Sequence, residues 1–107
     1  MMFGELKTLV LEWANERNLL HRKNKLKQYA KFGEEANELL RAILNEDEEQ
    51  IIDGIGDTLV TLIILSEQLG LDPEGCLERA YQEIKDRKGK TVNGEFIKTS
   101  DNGKSGR

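Results

Sequence analysis

The segment from Leu59 to Leu65 constrains the fold more than any other part of the chain. It reads Leu-Val-Thr-Leu-Ile-Ile-Leu, so a helix formed here is apolar on nearly every side. Such a helix must be covered by neighbours in more than one direction. A chain of 107 residues has room for one domain with a small core, and three partner helices of its own do not suffice.

Apolar residues recur at three- and four-residue steps and predict four amphipathic helices. The helices are expected at about Phe3 to Leu19, Leu26 to Asn45, Asp47 to Leu69, and from Pro73 to Lys88-Gly89. Asp72 suits an N-cap, with proline at the first helical position of the fourth helix. The inward face of that helix is predicted to carry Cys76, Leu77, Ala80, Tyr81 and Ile84. The predicted fold class is therefore all-α and four-helix bundle-like.

The C-terminal part has a different pattern. Asn93-Gly94 is a turn signal between two short β-prone stretches, which predicts a small C-terminal β-hairpin. No linker divides the chain. We expect one helical domain over residues 1–98 and a flexible tail over residues 99–107.

Composition excludes several classes of protein. The net charge of -4 argues against non-specific nucleic-acid binding, which requires Lys and Arg to neutralise phosphates. Cys76 is the only cysteine, so no intrachain disulfide forms and a cytoplasmic setting is expected. Charges interrupt the N-terminal segment, and no apolar stretch reaches membrane-spanning length, which predicts neither export nor a membrane partner.

Acidic residues cluster on the second predicted helix. Glu34, Glu35 and Glu38 fall within one and a half turns, where residues three or four apart share a face. Like charges at this spacing destabilise a helix, and a bound cation would offset the repulsion. The alternative is a solvated acidic surface.

The third predicted helix adds two carboxylates. Asp53 and Asp57 are one turn apart, and Asp57 directly precedes the apolar segment, where an unpaired charge is unfavourable. No Lys or Arg lies within residues 51–65 to pair with it, which favours a metal ion. Gly54 and Gly56 indicate either close approach of a ligand or tight helix packing.

Helices joined by a short connection tend to pack antiparallel, which would bring the Glu35 and Glu38 face opposite Asp53 and Asp57. Oxygen ligands without His or Cys select hard cations, so this arrangement predicts a Mg²⁺ site, with Mn²⁺ as a substitute. A cation of this kind commonly acts on phosphate esters.

Basic and aromatic residues leave two interpretations open. Lys85, Arg87, Lys88 and Lys90 either complement the dipole at the end of the fourth helix or contact substrate phosphates. Trp13 and Tyr81 either belong to the core or stack on a base. The single histidine, His21, is assigned no role.

Three segments together resemble the MazG-like family of all-α nucleoside triphosphate pyrophosphohydrolases, in particular its small, phage-type members. The resemblance covers about Leu26 to Lys98 and is carried by Lys31–Leu39, Ile52–Val60 and Ala80–Phe96. It implies a helical bundle that forms a homodimer or a dimer of dimers. It also implies hydrolysis of an NTP or dNTP to the monophosphate and pyrophosphate.

By this resemblance the Mg²⁺ ligands are Glu35, Glu38 and Asp57. The family's fourth ligand falls on Gly54, and Asp53 takes its place here. The same resemblance makes Glu34, Glu35, Glu38 and Asp57 the catalytic residues, with Glu34 supporting the ligands or orienting the attacking water. We assign phosphate binding to Lys85, Arg87 and Lys88.

Two alternatives to this prediction remain open. One is a non-catalytic oligomeric interaction or regulatory module of the same fold, in which Gly54 marks a lost ligand. The other keeps the site but hydrolyses a nucleoside diphosphate or another pyrophosphate-containing metabolite.

Overall fold

The computed structural model describes residues 1–99. Helices α1 (Phe3–Glu16), α2 (Lys25–Leu44), α3 (Glu48–Gln68) and α4 (Pro73–Ile84) are followed by strands β1 (Gly89–Val92) and β2 (Glu95–Lys98). The all-α fold with a small hairpin is thereby confirmed. The first helix ends at Glu16, short of the predicted Leu19.

The chain divides into two compact units, Met1–Cys76 and a second that begins at Leu77. The first contains α1, α2, α3 and the first turn of α4, and the second contains the rest of α4 and the hairpin. The single domain over residues 1–98 stays a prediction. Of the predicted tail, residues 100–107 lie outside the described residues, whereas the Thr99 amide donates a hydrogen bond to the Lys88 carbonyl at 2.8 Å.

The first three helices end in the same way. The amide of the third residue beyond each end reaches back five positions, from Leu19 to Ala14, Asp47 to Ala42 and Leu71 to Ser66. The intervening residues Asn18, Glu46 and Gly70 have positive φ angles of 58°, 53° and 74°. These are left-handed C-terminal caps, which satisfy carbonyls that the helix leaves without partners.

The core of the first unit lies between α2 and α3. Gln28 Nε2 donates to the Thr61 carbonyl at 3.1 Å, and Leu39 lies against Gly54. A residue early in α2 therefore meets a late residue of α3, and a late residue meets an early one, so the pair is antiparallel as predicted. The buried residues are Ala14, Ala42, Ile63 and Ile64, together with the polar Glu35, Thr61 and Gln68.

Lys7 ties α1 to the start of α4 within the first unit. Its Nζ lies 2.7 Å from Asp72 Oδ1 and 2.5 Å from Glu74 Oε1. The hydrogen bonds to Asp72 and then to Glu74 raise the pKa of Lys7 above its ordinary value of 10.5. The bond from Lys7 likewise lowers the pKa of Asp72 below 3.8. The predicted N-cap is present, since the Glu74 amide donates to Asp72 Oδ1 at 3.3 Å.

Apolar burial falls short of the prediction in two places. No residue of α4 is buried, and its predicted inward residues Leu77, Tyr81 and Ile84 are 69%, 55% and 52% exposed. On α3, Leu59 and Leu62 remain 44% and 41% exposed. The inward orientation predicted for α4 is therefore wrong for the single chain. The sequence pattern identified an apolar face but not what covers it.

The second unit contains the predicted hairpin. Strands β1 and β2 pair antiparallel, with Val92 opposite Glu95 and Gly89 opposite Lys98. Asn93 and Gly94 both have positive φ, 52° and 82°, which is the requirement of a two-residue type I′ turn.

Within residues 1–99, no individual helix has the length and apolar character needed to cross a membrane, and only the bent pair α3 and α4 taken together meets those criteria.

Candidate functional site

Glu35 is the buried member of the acidic cluster on α2. The helical period places it on the same face as Gln28 and Leu39, which both contact α3. The residue is 9% exposed. Its Oε2 lies 3.4 Å from Nζ of Lys31, whose side chain is 55% exposed. A solvated acidic surface therefore does not describe Glu35.

The other two glutamates of the cluster are exposed. The Glu34 side chain is 66% exposed and lies 3.9 Å from Lys31 Nζ. Glu38 is exposed and borders a shallow depression of about 250 Å³ that Arg41 and Gln50 also line. Both carboxylates can therefore exchange water for a ligand without a rearrangement of the core.

Asp53 and Asp57 are exposed on α3. The expectation that the apolar segment would desolvate Asp57 is wrong for the single chain, because that segment buries Thr61, Ile63 and Ile64 while its outer residues stay exposed. Asp57 consequently needs no partner for stability. The case for a metal at Asp57 rests on the arrangement of carboxylates and not on a buried charge.

Gly54 and Gly56 have different environments. A Cβ atom at Gly54 would lie 3.1 to 3.3 Å from the Cδ1, Cβ and Cα atoms of Leu39, whereas one at Gly56 would meet nothing within 4 Å. Gly54 thus permits close approach of α2 and α3, the packing alternative. A larger residue at this position would push the two helices apart.

The two helix contacts also set the register of the carboxylates. Counting residues between the Gln28–Thr61 level and the Leu39–Gly54 level puts Glu35 at about the level of Asp57. Since α2 and α3 are antiparallel, the helical period places the exposed Glu38 on the same flank of the interface as Asp53 and Asp57. Within residues 1–99, however, no group of three or more His, Cys, Asp or Glu residues is close enough to hold a metal ion. The assignment of Glu35, Glu38, Asp53 and Asp57 as ligands stays a prediction.

The predicted phosphate-binding residues belong to the second unit. Lys85 and Lys88 are exposed, and Arg87 is half-buried. The Lys85 and Arg87 amides bond to the carbonyls of Tyr81 and Ile84 at the end of α4. Their role towards phosphate stays a prediction.

Sequence reasoning missed a groove in the first unit. It has a volume of about 490 Å³ and is lined by Trp13, Leu19, Asn24, Lys27, Gln28, Lys31, Val60, Thr61, Ile64 and Gln68. Trp13 is 47% exposed and carries the Arg17 guanidinium 4.4 Å from its ring centroid, so it is not a core residue. A sequence signal did exist, because Gln68 shares the buried face of Thr61 and Ile64, where a polar side chain needs an explanation.

A helical domain with carboxylates on a pair of antiparallel helices agrees with the resemblance to the all-α pyrophosphohydrolases of the MazG-like superfamily. The chain matches the phosphoribosyl-ATP pyrophosphohydrolase family over residues 6–88, which include α1, α2, α3 and α4. The protein belongs to this family, which lies within that superfamily. The family takes its name from a pyrophosphohydrolase that acts on phosphoribosyl-ATP.

A second comparison relates the chain to a phage protein. It is 36% identical over 61 residues to an uncharacterized 18.2 kDa protein of the rep-hol intergenic region of Haemophilus phage HP1. The match covers 57% of this chain and 37% of the phage protein, so the chain spans well under half of that relative's length. No solved structure matches the chain.

Proposed function

We propose that the protein is a small, phage-type Mg²⁺-dependent nucleoside triphosphate pyrophosphohydrolase, which converts an NTP or dNTP to the monophosphate and pyrophosphate. The observation that carries the proposal is Glu35, a carboxylate buried on the α3-facing side of α2 at the level of Asp57. Burial of a carboxylate in a helix interface is energetically unfavourable, so we expect the residue to have a function there. The family to which the chain belongs suggests the class of reaction in which it takes part.

The donor set fits a hard cation. Glu35, Glu38, Asp53 and Asp57 offer only carboxylate oxygens, the ligands that Mg²⁺ and its substitute Mn²⁺ prefer. A bound cation supplies neutralisation of phosphate charge and a lowered pKa of coordinated water. The four residues stand on two helices whose spacing is fixed by the Leu39–Gly54 contact.

The proposal also assigns roles to Glu34 and to three basic residues. Glu34 is exposed and next to Glu35, so it orients the attacking water or supports the ligands. The oxygen of the attacking water forms a bond to the α-phosphorus as the bond from that phosphorus to the α,β-bridging oxygen breaks. The proton of the water passes to solvent, and pyrophosphate leaves. Lys85, Arg87 and Lys88 contact the triphosphate through charge-assisted hydrogen bonds.

The proposal includes assembly as a homodimer or a dimer of dimers. Support comes from an exposed stripe on α3 at three- and four-residue spacing, formed by Ile52, Ile55, Leu59 and Leu62. Apolar stripes of this regularity mark contact surfaces. A second copy of the chain would cover the stripe.

The decisive experiment is product analysis of the purified protein with a panel of NTPs, dNTPs, nucleoside diphosphates and phosphoribosyl-ATP, with and without Mg²⁺. We expect pyrophosphate release that requires the metal and falls about 100-fold or more in Glu38→Gln. Glu12→Gln, the same charge change on exposed α1, is the matched control and should retain activity. Undiminished turnover in Glu38→Gln would refute the proposed site, and release of orthophosphate from diphosphates would change the substrate class.

A second candidate is a non-catalytic oligomeric interaction or regulatory module. It is favoured by Gly54, which stands where the family resemblance places an acidic ligand and where packing against Leu39 leaves little space for a side chain. This candidate predicts that Mg²⁺ leaves the melting temperature unchanged. Our proposal predicts stabilisation, about 2.7 kcal/mol at a free Mg²⁺ concentration of 100 Kd, since the cation binds only the folded state.

A further inference from the structure

The groove beside α2 and α3 contains an unpaired polar atom. Gln68 is 3% exposed, and its Oε1 is a buried side-chain oxygen with no hydrogen-bond partner among the described residues. Its Nε2 donates to the Leu19 carbonyl at 2.7 Å. Because a carbonyl oxygen only accepts, this contact fixes which end of the amide faces Leu19. The Oε1 atom at the other end of the amide is therefore an acceptor that takes no part in the bond to Leu19.

An unsatisfied buried acceptor is unfavourable, so its retention calls for a reason. Gln68 lines the groove, so a ligand in the groove lies next to its side chain. The volume of about 490 Å³ falls in the range of small-molecule sites, roughly 300–1,000 Å³. A ligand that brings an N–H donor to Gln68 would satisfy the acceptor.

The lining indicates the kind of ligand. Leu19, Val60 and Ile64 provide apolar walls, and Trp13 provides an aromatic edge. Flat heteroaromatic rings suit such a site, because their faces are apolar and their edges carry donors and acceptors.

The groove also adjoins the carboxylates. Lys31 lines it and lies 3.4 Å from the buried carboxylate of Glu35. Lys27, one turn earlier on α2, lines it as well. If the base of a nucleotide lies against Gln68, its sugar and phosphates would extend along α2. They would pass the two lysines first and then reach the acidic cluster.

The structure assigns to Gln68 the selection of the nucleobase: its Oε1 accepts a hydrogen bond from the exocyclic amino group of adenine or cytosine. This inference rests on the proposed function, in that the ligand is the nucleotide of the same site. The corresponding oxo bases, hypoxanthine and uracil, place a carbonyl oxygen where the amino group would be. Two acceptors then face each other, and the ring N–H of an oxo base lies one ring atom away, so these bases are disfavoured in the pose that sets the amino group against Gln68.

The test is a metal-free binding titration with the nucleoside monophosphate pairs AMP and IMP, and CMP and UMP. Trp13 is the only tryptophan and lines the groove, so its fluorescence reports occupancy directly. We expect the amino base of each pair to bind about 10-fold tighter or more, and Gln68→Met to bring the ratio near one. Gln82→Met makes the same change at an exposed position outside the groove and should leave the ratio unchanged.

Equal affinity within both pairs, or no fluorescence change with any monophosphate, would overturn the inference and leave a buried water as the partner of Gln68. If Gln68→Met kept the affinity ratio between the amino and oxo bases, Gln68 would be excluded as the cause of that ratio. Should that variant fail to fold, the wild-type ratio between amino and oxo bases still decides the matter. Selective binding without pyrophosphate release would uphold the inference while refuting the proposed reaction, so the two failures are distinguishable.

Discussion

Substitution of the two neighbouring glycines of α3 tests the helix packing on which the site depends. Gly54→Ala and Gly56→Ala make the same chemical change two residues apart in one helix. Alanine is favoured over glycine in a helix by about 1 kcal/mol, and this gain applies to both variants. Only Gly54 has α2 beside it, so the difference between the variants isolates the effect of packing.

The size of that effect follows from the distances. The new Cβ at position 54 would stand 3.1 Å from Leu39 Cδ1, 3.2 Å from its Cβ and 3.3 Å from its Cα. The first of these atoms can move by rotation of the leucine, but the other two move only if α2 itself shifts. Overpacking of this kind is unfavourable by about 1–3 kcal/mol. We therefore expect Gly54→Ala to lose up to about 2 kcal/mol and Gly56→Ala to gain about 1 kcal/mol.

Urea unfolding at one fixed protein concentration, without Mg²⁺, measures both changes from the shift in midpoint at constant slope. Gly33→Ala on α2, another glycine with nothing within 4 Å, provides a second control and should behave as Gly56→Ala does. If Gly54→Ala stabilised the protein as much as the two controls, the close approach of α2 and α3 would be refuted. The register proposed for Glu35 and Asp57 would then have no support.

Three further predictions concern the rest of the chain. Lys7→Met should lower the melting temperature at neutral pH. The pKa of Asp72 is lowered from 3.8 and that of Lys7 is raised from 10.5, so the difference in melting temperature between variant and wild type should shrink as the pH falls below 3.8 or rises above 10.5. A difference in melting temperature that does not depend on pH would contradict the ion pair. Glu46→Gly relieves a left-handed residue with φ 53° and should stabilise by about 0.5–1 kcal/mol in urea unfolding, whereas no gain would mean that the cap is not strained. Leu59→Asp should reduce the molar mass measured by light scattering to that of one chain, while Leu26→Asp, at a 78% exposed position, should not; equal masses for both variants would exclude the α3 stripe as the contact surface.

The secondary structure was predictable because its signals are local. The helical period, the N-cap at Asp72 and the turn at Asn93-Gly94 each act within a few residues, and the structure contains all three. What failed depends on distant neighbours. The apolar face of α4 and the position of Asp57 were assumed to be buried, but burial requires a partner that one chain does not provide to them.

The candidate site was predictable in part for the same reason. Spacing placed Glu35 and Glu38 on one helix and Asp53 and Asp57 on the next, and composition suggested a hard cation. The spacing did not show that Glu35 alone of the cluster would face α3, because that follows from the register set by Leu39 and Gly54. Gln68 was missed because a polar residue near a helix end resembles an ordinary surface position.

Glu35 is the position at which the requirements of folding and of the proposed chemistry disagree. It lies on the face of α2 that packs on α3, where an apolar residue of similar size would bury area without desolvating a charge. Its ion pair with Lys31 compensates weakly, since the lysine side chain is more than half exposed. Residues that oppose stability are retained where they serve activity. A carboxylate buried at this position would contribute little to solubility. In a site for a cation and a triphosphate, it would serve as a ligand.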